Sequence, residues 1–154
     1  KLIGVNADGR AVEYFDNCYS IKDMNKALAQ GDYVVVTLPN TDDTNHLLNE
    51  TALAATKQGS YLVNISRGRV IDEEALIKFL DSGHIKAAAL DVFTQEPLPK
   101  SSRLWSLDNV ILTPHNSWTS NNSISRRDAL LYKNLKAYSE GRQLLNVIDF
   151  KKGY

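Results

Sequence analysis

Four residues with complementary chemistry follow apolar runs in this sequence. Arg67 comes after YLVNIS (61–66), Asp91 lies within IKAAALDVF (85–93), Glu96 follows five residues later, and His115 comes directly after VILTP (110–114). A guanidinium holds a carboxylate through two parallel N–H···O bonds. An imidazole with an ordinary pKa of about 6.5 passes a proton in either direction. A carboxylate beside that ring orients it and favours its charged form. Together these groups are the equipment for proton transfer at a carbonyl or hydroxyl next to a carboxylate. No serine or cysteine stands in an elbow-type nucleophile motif, and no metal ligands cluster, so a redox reaction would need a cofactor that carries the hydride.

Each residue also has a plainer reading. His115 by itself could be a loop histidine, and Arg67 a surface arginine, although Gly68 beside it suggests a tight turn aiming the side chain inward. Asp91 is harder to dismiss, because a carboxylate at the end of a buried strand needs a partner. Glu96 is boxed by Pro97 and Pro99, which stiffen its loop. His46 and His84 follow no strand end and read as surface residues.

The elements that must place these side chains alternate along the chain. KLIGVN (1–6), YVVVTLP (33–39), YLVNIS (61–66), IKAAALDVF (85–93) and VILTP (110–114) read as strands. SIKDMNKALAQ (20–30), NETALAATKQG (49–59), DEEALIKFLDSG (72–83) and residues 119–141 read as helices. Ser20 with Asp23 three residues on is a helix-start signal. The acids of the third helix suit its dipole and Gly83 suits its end. On the last helix, Ile124, Leu131, Leu135 and Tyr138 form an apolar stripe. Strands that are continuously apolar belong to parallel sheets buried on both faces. The alternation therefore predicts a doubly wound α/β domain with a parallel sheet. Ligands of such sheets bind beyond the carboxyl ends of the strands, which is where Asn6, Pro39, Ser66, Arg67, Asp91 and His115 fall. The loop TQEPLPKSSRLWS (94–106) is long enough to expect a functional role.

Composition bounds the rest. The 154 residues suit one domain with a real core, and 43% apolar and 23% charged content is ordinary for a globular protein. Lys plus Arg and Asp plus Glu number 18 each, so no basic excess points to nucleic acid. The pairs Arg126-Arg127 and Lys151-Lys152 read as solvated surface. Cys18 is the single cysteine, which forms no disulfide framework and suits a reduced, cytoplasmic setting. No apolar run approaches a membrane span and no signal peptide is visible. The chain opens in what reads as a strand already under way, so we expect an N-terminal portion to precede it.

LPNTDDTNHLL, NISRGRVIDEEAL, AAALDVFTQEP and NVILTPHNSW, in this order and spacing, resemble the D-isomer-specific 2-hydroxyacid dehydrogenases. The likeness is detailed to about residue 120. It implies a Rossmann-like NAD-binding domain over 1–141 that lacks its first βα unit, with 142–154 returning towards a substrate domain. It implies that Arg67 binds the substrate carboxylate, that His115 is the acid/base at the substrate oxygen, and that Glu96 is the acidic partner of that histidine. Asp91 would meet the nicotinamide carboxamide. Asn6, Pro39, Thr44, Ile65, Ser66, Arg67, His115 and Ser117 would also contact the dinucleotide, and no metal is implied. The substrate would be a small 2-oxo or 2-hydroxy acid, and the assembly a cytoplasmic homodimer with neither nucleic-acid nor membrane partners. The alternative is a corepressor-like module that senses NAD(H) without metabolic turnover. The formate dehydrogenase branch resembles a glutamine where Glu96 stands.

Two departures bear on the cofactor. The eight glycines form no GxGxxG, so the pyrophosphate-binding turn is not among these residues, and the 154 residues alone are expected to turn over nothing. Asn6 replaces the acid that usually bonds the ribose hydroxyls in NAD-preferring members. Asn6 repels a 2′-phosphate less and Arg10 could approach one, whereas Asp8 opposes it. NAD is the expected cofactor and NADP the alternative.

Overall fold

The computed structural model describes residues 1–150, so Lys151-Lys152 and the end of the 142–154 segment lie outside the described residues. The chain divides into two compact units, Lys1–Pro114 and His115–Tyr154.

The first unit is built on parallel strands. β1 (Ile3–Asn6) pairs in parallel with β2 (Asn17–Ser20). β3 (Tyr33–Val36), β4 (Ser60–Asn64), β5 (Ile85–Leu90) and β6 (Val110–Leu112) form a second parallel sheet in chain order. The connections include α1 (Met24–Leu28), α2 (Glu50–Ala54) and α3 (Glu73–Asp81). Asn49 caps α2 by accepting the Ala52 N–H, and Asp72 caps α3 by accepting the Ala75 N–H. These bonds satisfy amides that a helix start otherwise leaves open. The apolar faces of α2 and α3 close the core with Leu53, Leu62, Ile71, Leu76, Ile85 and Leu104, all fully buried.

The order of strands, helices and the parallel pairing agree with the doubly wound reading. One strand escapes the sequence reading and two local expectations are corrected. Asn17–Ser20 is a strand, although NCYS has neither an apolar run nor alternation to announce it; it forms by pairing with β1. Ser20 does not cap the following helix: its hydroxyl donates to the Asp23 carboxylate at 3.1 Å, and a 3-10 turn over Ile21–Asp23 intervenes before α1. His84 is half-buried rather than a surface residue, with its ring against Thr56, Gln58 and Phe79. The loop 94–106 has structure of its own, since a 3-10 turn over Arg103–Ser106 buries Leu104.

The second unit carries α4 (Ser123–Ser139). Its expected stripe of Ile124, Leu131, Leu135 and Tyr138 is present but exposed, and Ala137 is its buried residue. Asn134 ties the helix to the following segment, accepting the Leu145 N–H at 2.8 Å and donating to the Leu145 carbonyl at 3.1 Å. No helix among the described residues is long and apolar enough to cross a membrane.

Candidate active site

Parallel pairing brings the ends of β3 to β6 to one edge of the four-stranded sheet. At the end of β4, Asn64 is buried to 1% exposure. Its Oδ1 accepts both the Ser66 N–H at 3.1 Å and the Ser66 hydroxyl at 2.8 Å, while its Nδ2 donates to the Arg67 carbonyl at 3.2 Å. One buried amide thus fixes the turn that carries Arg67. The Arg67 side chain is exposed, and one guanidinium nitrogen donates to the Ser66 carbonyl at 2.6 Å. Gly68 begins a 3-10 turn over Gly68–Val70. Its role is close approach, because a β-carbon there would overlap the Phe93 carbonyl and stand 2.5 Å from the Thr94 nitrogen.

At the end of β5, Asp91 is buried to 3% exposure. The Thr113 hydroxyl, just past β6, donates to its carboxylate at 2.6 Å. Register explains the meeting, since Leu90 pairs with Leu112 and the next residues are Asp91 and Thr113. The chain then turns so that the Phe93 N–H donates to the Glu96 carboxylate at 3.0 Å. The Thr94 N–H donates to the carboxylate of Glu73, in the first turn of α3, at 3.1 Å. The Glu96–Pro97 peptide is cis.

The remaining first-unit positions shape loops. Thr44 is buried; its hydroxyl donates to the Pro39 carbonyl at 2.7 Å and accepts the Thr41 N–H at 2.8 Å. Pro39 and Ile65 are exposed at the strand ends. Asn6 accepts the Gly9 N–H at 2.6 Å and donates to the Arg10 carbonyl at 2.8 Å, closing its own turn. Arg10 meets Asp8 at 3.4 Å, and its backbone N–H bonds the same carboxylate, which holds Asp8 below its ordinary pKa. His115 and Ser117 open the second unit. His115 has a φ of 52°, a left-handed conformation that costs a non-glycine residue about 1–3 kcal/mol and is frequent at functional sites.

The first unit therefore brings Arg67, Asp91 and Glu96 together on one edge. Sequence reasoning missed Asn64, Glu73 and Thr113, and it took Gly68 for a turn residue alone. A buried asparagine ending an apolar strand was a usable signal for the first. The others become visible only through register and packing. Among the described residues no group of three His, Cys, Asp or Glu side chains could hold a metal. The residue types at this edge, exposed apolar Pro39 and Ile65 and the buried Asp91 carboxylate, suit the chemistry of a flat ring bearing an amide.

Residues 1–117 match the family described as D-isomer specific 2-hydroxyacid dehydrogenase, NAD binding domain. The chain belongs to that family. A glyoxylate reductase of Korarchaeum cryptofilum is 39% identical over 126 residues, which is 82% of this chain and 38% of that protein. A glyoxylate/hydroxypyruvate reductase B of Serratia proteamaculans is 48% identical over 93 residues, 60% of this chain and 29% of that one. Among solved structures, a D-isomer specific 2-hydroxyacid dehydrogenase of Xanthobacter autotrophicus in complex with NADPH and MES superposes with a TM-score of 0.90 at 37% identity, over 99% of this chain and 62% of that one. The chain spans about half or less of the length of the curated relatives it matches. Family membership and the Rossmann-like parallel fold are thus established.

Proposed function

We propose that these residues form most of the nicotinamide-dinucleotide domain of an oxidoreductase that interconverts 2-oxo acids and D-2-hydroxy acids. The observation that carries this reading is the strand-end edge on which Arg67, Asp91 and Glu96 converge in a member of this family. Arg67 holds the substrate carboxylate and polarises the neighbouring carbonyl. His115 gives a proton to the substrate oxygen in reduction and takes it back in oxidation. Glu96 is the acid that supports the histidine, and Asp91, held by Thr113, accepts from the nicotinamide amide. When bound, the dinucleotide supplies or receives the hydride. Asn6, Pro39, Thr44, Ile65, Ser66 and Ser117 complete its groove, with NAD or NADP as cofactor.

The sheet order supports a missing first βα unit. Among the described residues β1 pairs with β2 alone, and β3 is the edge of a separate sheet that runs on to β6. A strand between β1 and β3 would join both pieces into one sheet, and the point where strand order reverses is where doubly wound folds bind nucleotides. The balanced net charge supports a small acid rather than nucleic acid as partner, and the family supports a cytoplasmic homodimer.

The deciding experiment follows NADH and NADPH oxidation by the intact polypeptide on a panel of 2-oxo acids, with His115→Ala as control. Turnover that disappears in the variant supports the reductase. Dinucleotide binding without turnover on any acid would favour a sensing module instead.

A further inference from the structure

We propose that Gly68 and Glu73 clamp the Phe93–Thr94 peptide and thereby hold the Arg67 turn and the Glu96 loop as one unit, which makes both of them positioning residues. The inference rests on the roles proposed above for Arg67 and Glu96. Two contacts meet on this peptide, and a third is made by the amide just before it. Gly68 packs its α-carbon against the Phe93 carbonyl so closely that a β-carbon has no room, and the obstacle is backbone, not a side chain that could swing away. From α3, the Glu73 carboxylate accepts the Thr94 N–H at 3.1 Å. The Phe93 N–H points to the Glu96 carboxylate at 3.0 Å. On the other side of the clamp, Gly68 follows Arg67 directly, and buried Asn64 bonds the Arg67 carbonyl and both the amide and hydroxyl of Ser66. A shift of the Phe93–Thr94 peptide therefore displaces the carboxylate of Glu96 and presses on the turn of Arg67 together. A helix-start acid with no further role would stabilise α3 and nothing else.

Glu73→Ala removes the clamp without introducing bulk, Glu73→Gln keeps an acceptor oxygen, and Gly68→Ala forces the peptides apart. Each is made in the intact polypeptide, alone and with Glu96→Gln, and assayed on glyoxylate across pH. Arg67→Lys and Glu96→Gln alone serve as controls. Amide hydrogen exchange is followed in the cofactor-free protein. We expect Glu73→Ala to lower kcat about tenfold, as small displacements of reacting groups do, and Glu73→Gln to restore most of it. Combined with Glu96→Gln, Glu73→Ala should add little, the non-additivity of residues acting through one another. Exchange should rise together over 66–70 and 91–97. Additive losses, a wild-type pH profile in Glu73→Ala, or faster exchange over 91–97 alone would overturn the clamp. Unchanged kinetics in both controls would overturn the site reading and the positioning role with it. Should Gly68→Ala fail to fold, the Glu73 pair still decides.

Discussion

Asp91 is buried at the end of β5, and the Thr113 hydroxyl supports its carboxylate from the neighbouring strand. Removing one partner of a buried charged group leaves desolvation uncompensated. Thr113→Val keeps the shape and removes the donor, so it should cost about 1–3 kcal/mol in denaturant unfolding and weaken dinucleotide binding as well. An unchanged midpoint would show that Thr113 contributes nothing to Asp91. Glu96→Gln tests the other carboxylate. A carboxylate beside an imidazole favours the charged ring and a glutamine does not. In the oxidation direction, which uses the neutral ring, the acidic limb of the pH–rate profile should therefore move to lower pH. A superimposable profile would remove Glu96 from its role. For the candidate site, Arg67 and Asp91 drew notice because they stand where apolar runs stop, and Glu96 because two prolines stiffen its loop. Glu73 and Thr113 did not, because threonine and a helix-start glutamate are common in structural roles, and Asn64 was overlooked although an asparagine ending an apolar run is a usable signal. Their meaning comes from the partner that folding sets beside them.

At the level of elements, α3 and β4 were readable, since Asp72, the acids after it and Gly83 mark one, and a continuous apolar run marks the other. β2 was hidden because its four residues carry no pattern of their own and are strand only by pairing with β1. The α4 stripe was read as one apolar face and is exposed, because periodicity reports which residues share a face and not what covers it. Between elements, Lys57 in the α2–β4 connection bonds Asp32 just before β3 at 2.5 Å. That hydrogen bond, aided by the charge of Lys57, holds Asp32 below the ordinary carboxylate value of 3.8. A carboxyl depressed in the folded state stabilises fully above its unfolded pKa, and its contribution is lost as pH falls through the folded value. Asp32→Asn should therefore lower Tm slightly at neutral pH and flatten its decline below about pH 4. Exposure of both side chains keeps the effect small. A Tm–pH curve identical to wild type would show that the pair does not stabilise the fold.

For the molecule as a whole, the division of the sheet dominates. These 154 residues contain the edge that would face the nicotinamide but no GxGxxG turn for the pyrophosphate. Titration of NADH into the chain by itself should show weak, non-saturating fluorescence changes, against tight saturable binding by the intact polypeptide. Equal affinities would mean that the pyrophosphate is held by something else. The same division has a colloidal consequence. Among the described residues β1 and β3 each pair on one side only, and on β3 Tyr33 and Val35 are 70% and 57% exposed. Open strand edges with apolar side chains recruit other chains, and a net charge of zero removes the repulsion that would keep them apart. The isolated chain should thus scatter light increasingly with concentration, most strongly near its isoelectric point of about 7.0. Val35→Lys should clear the solution, since a charged edge resists stacking; persistent turbidity would place the sticky surface elsewhere.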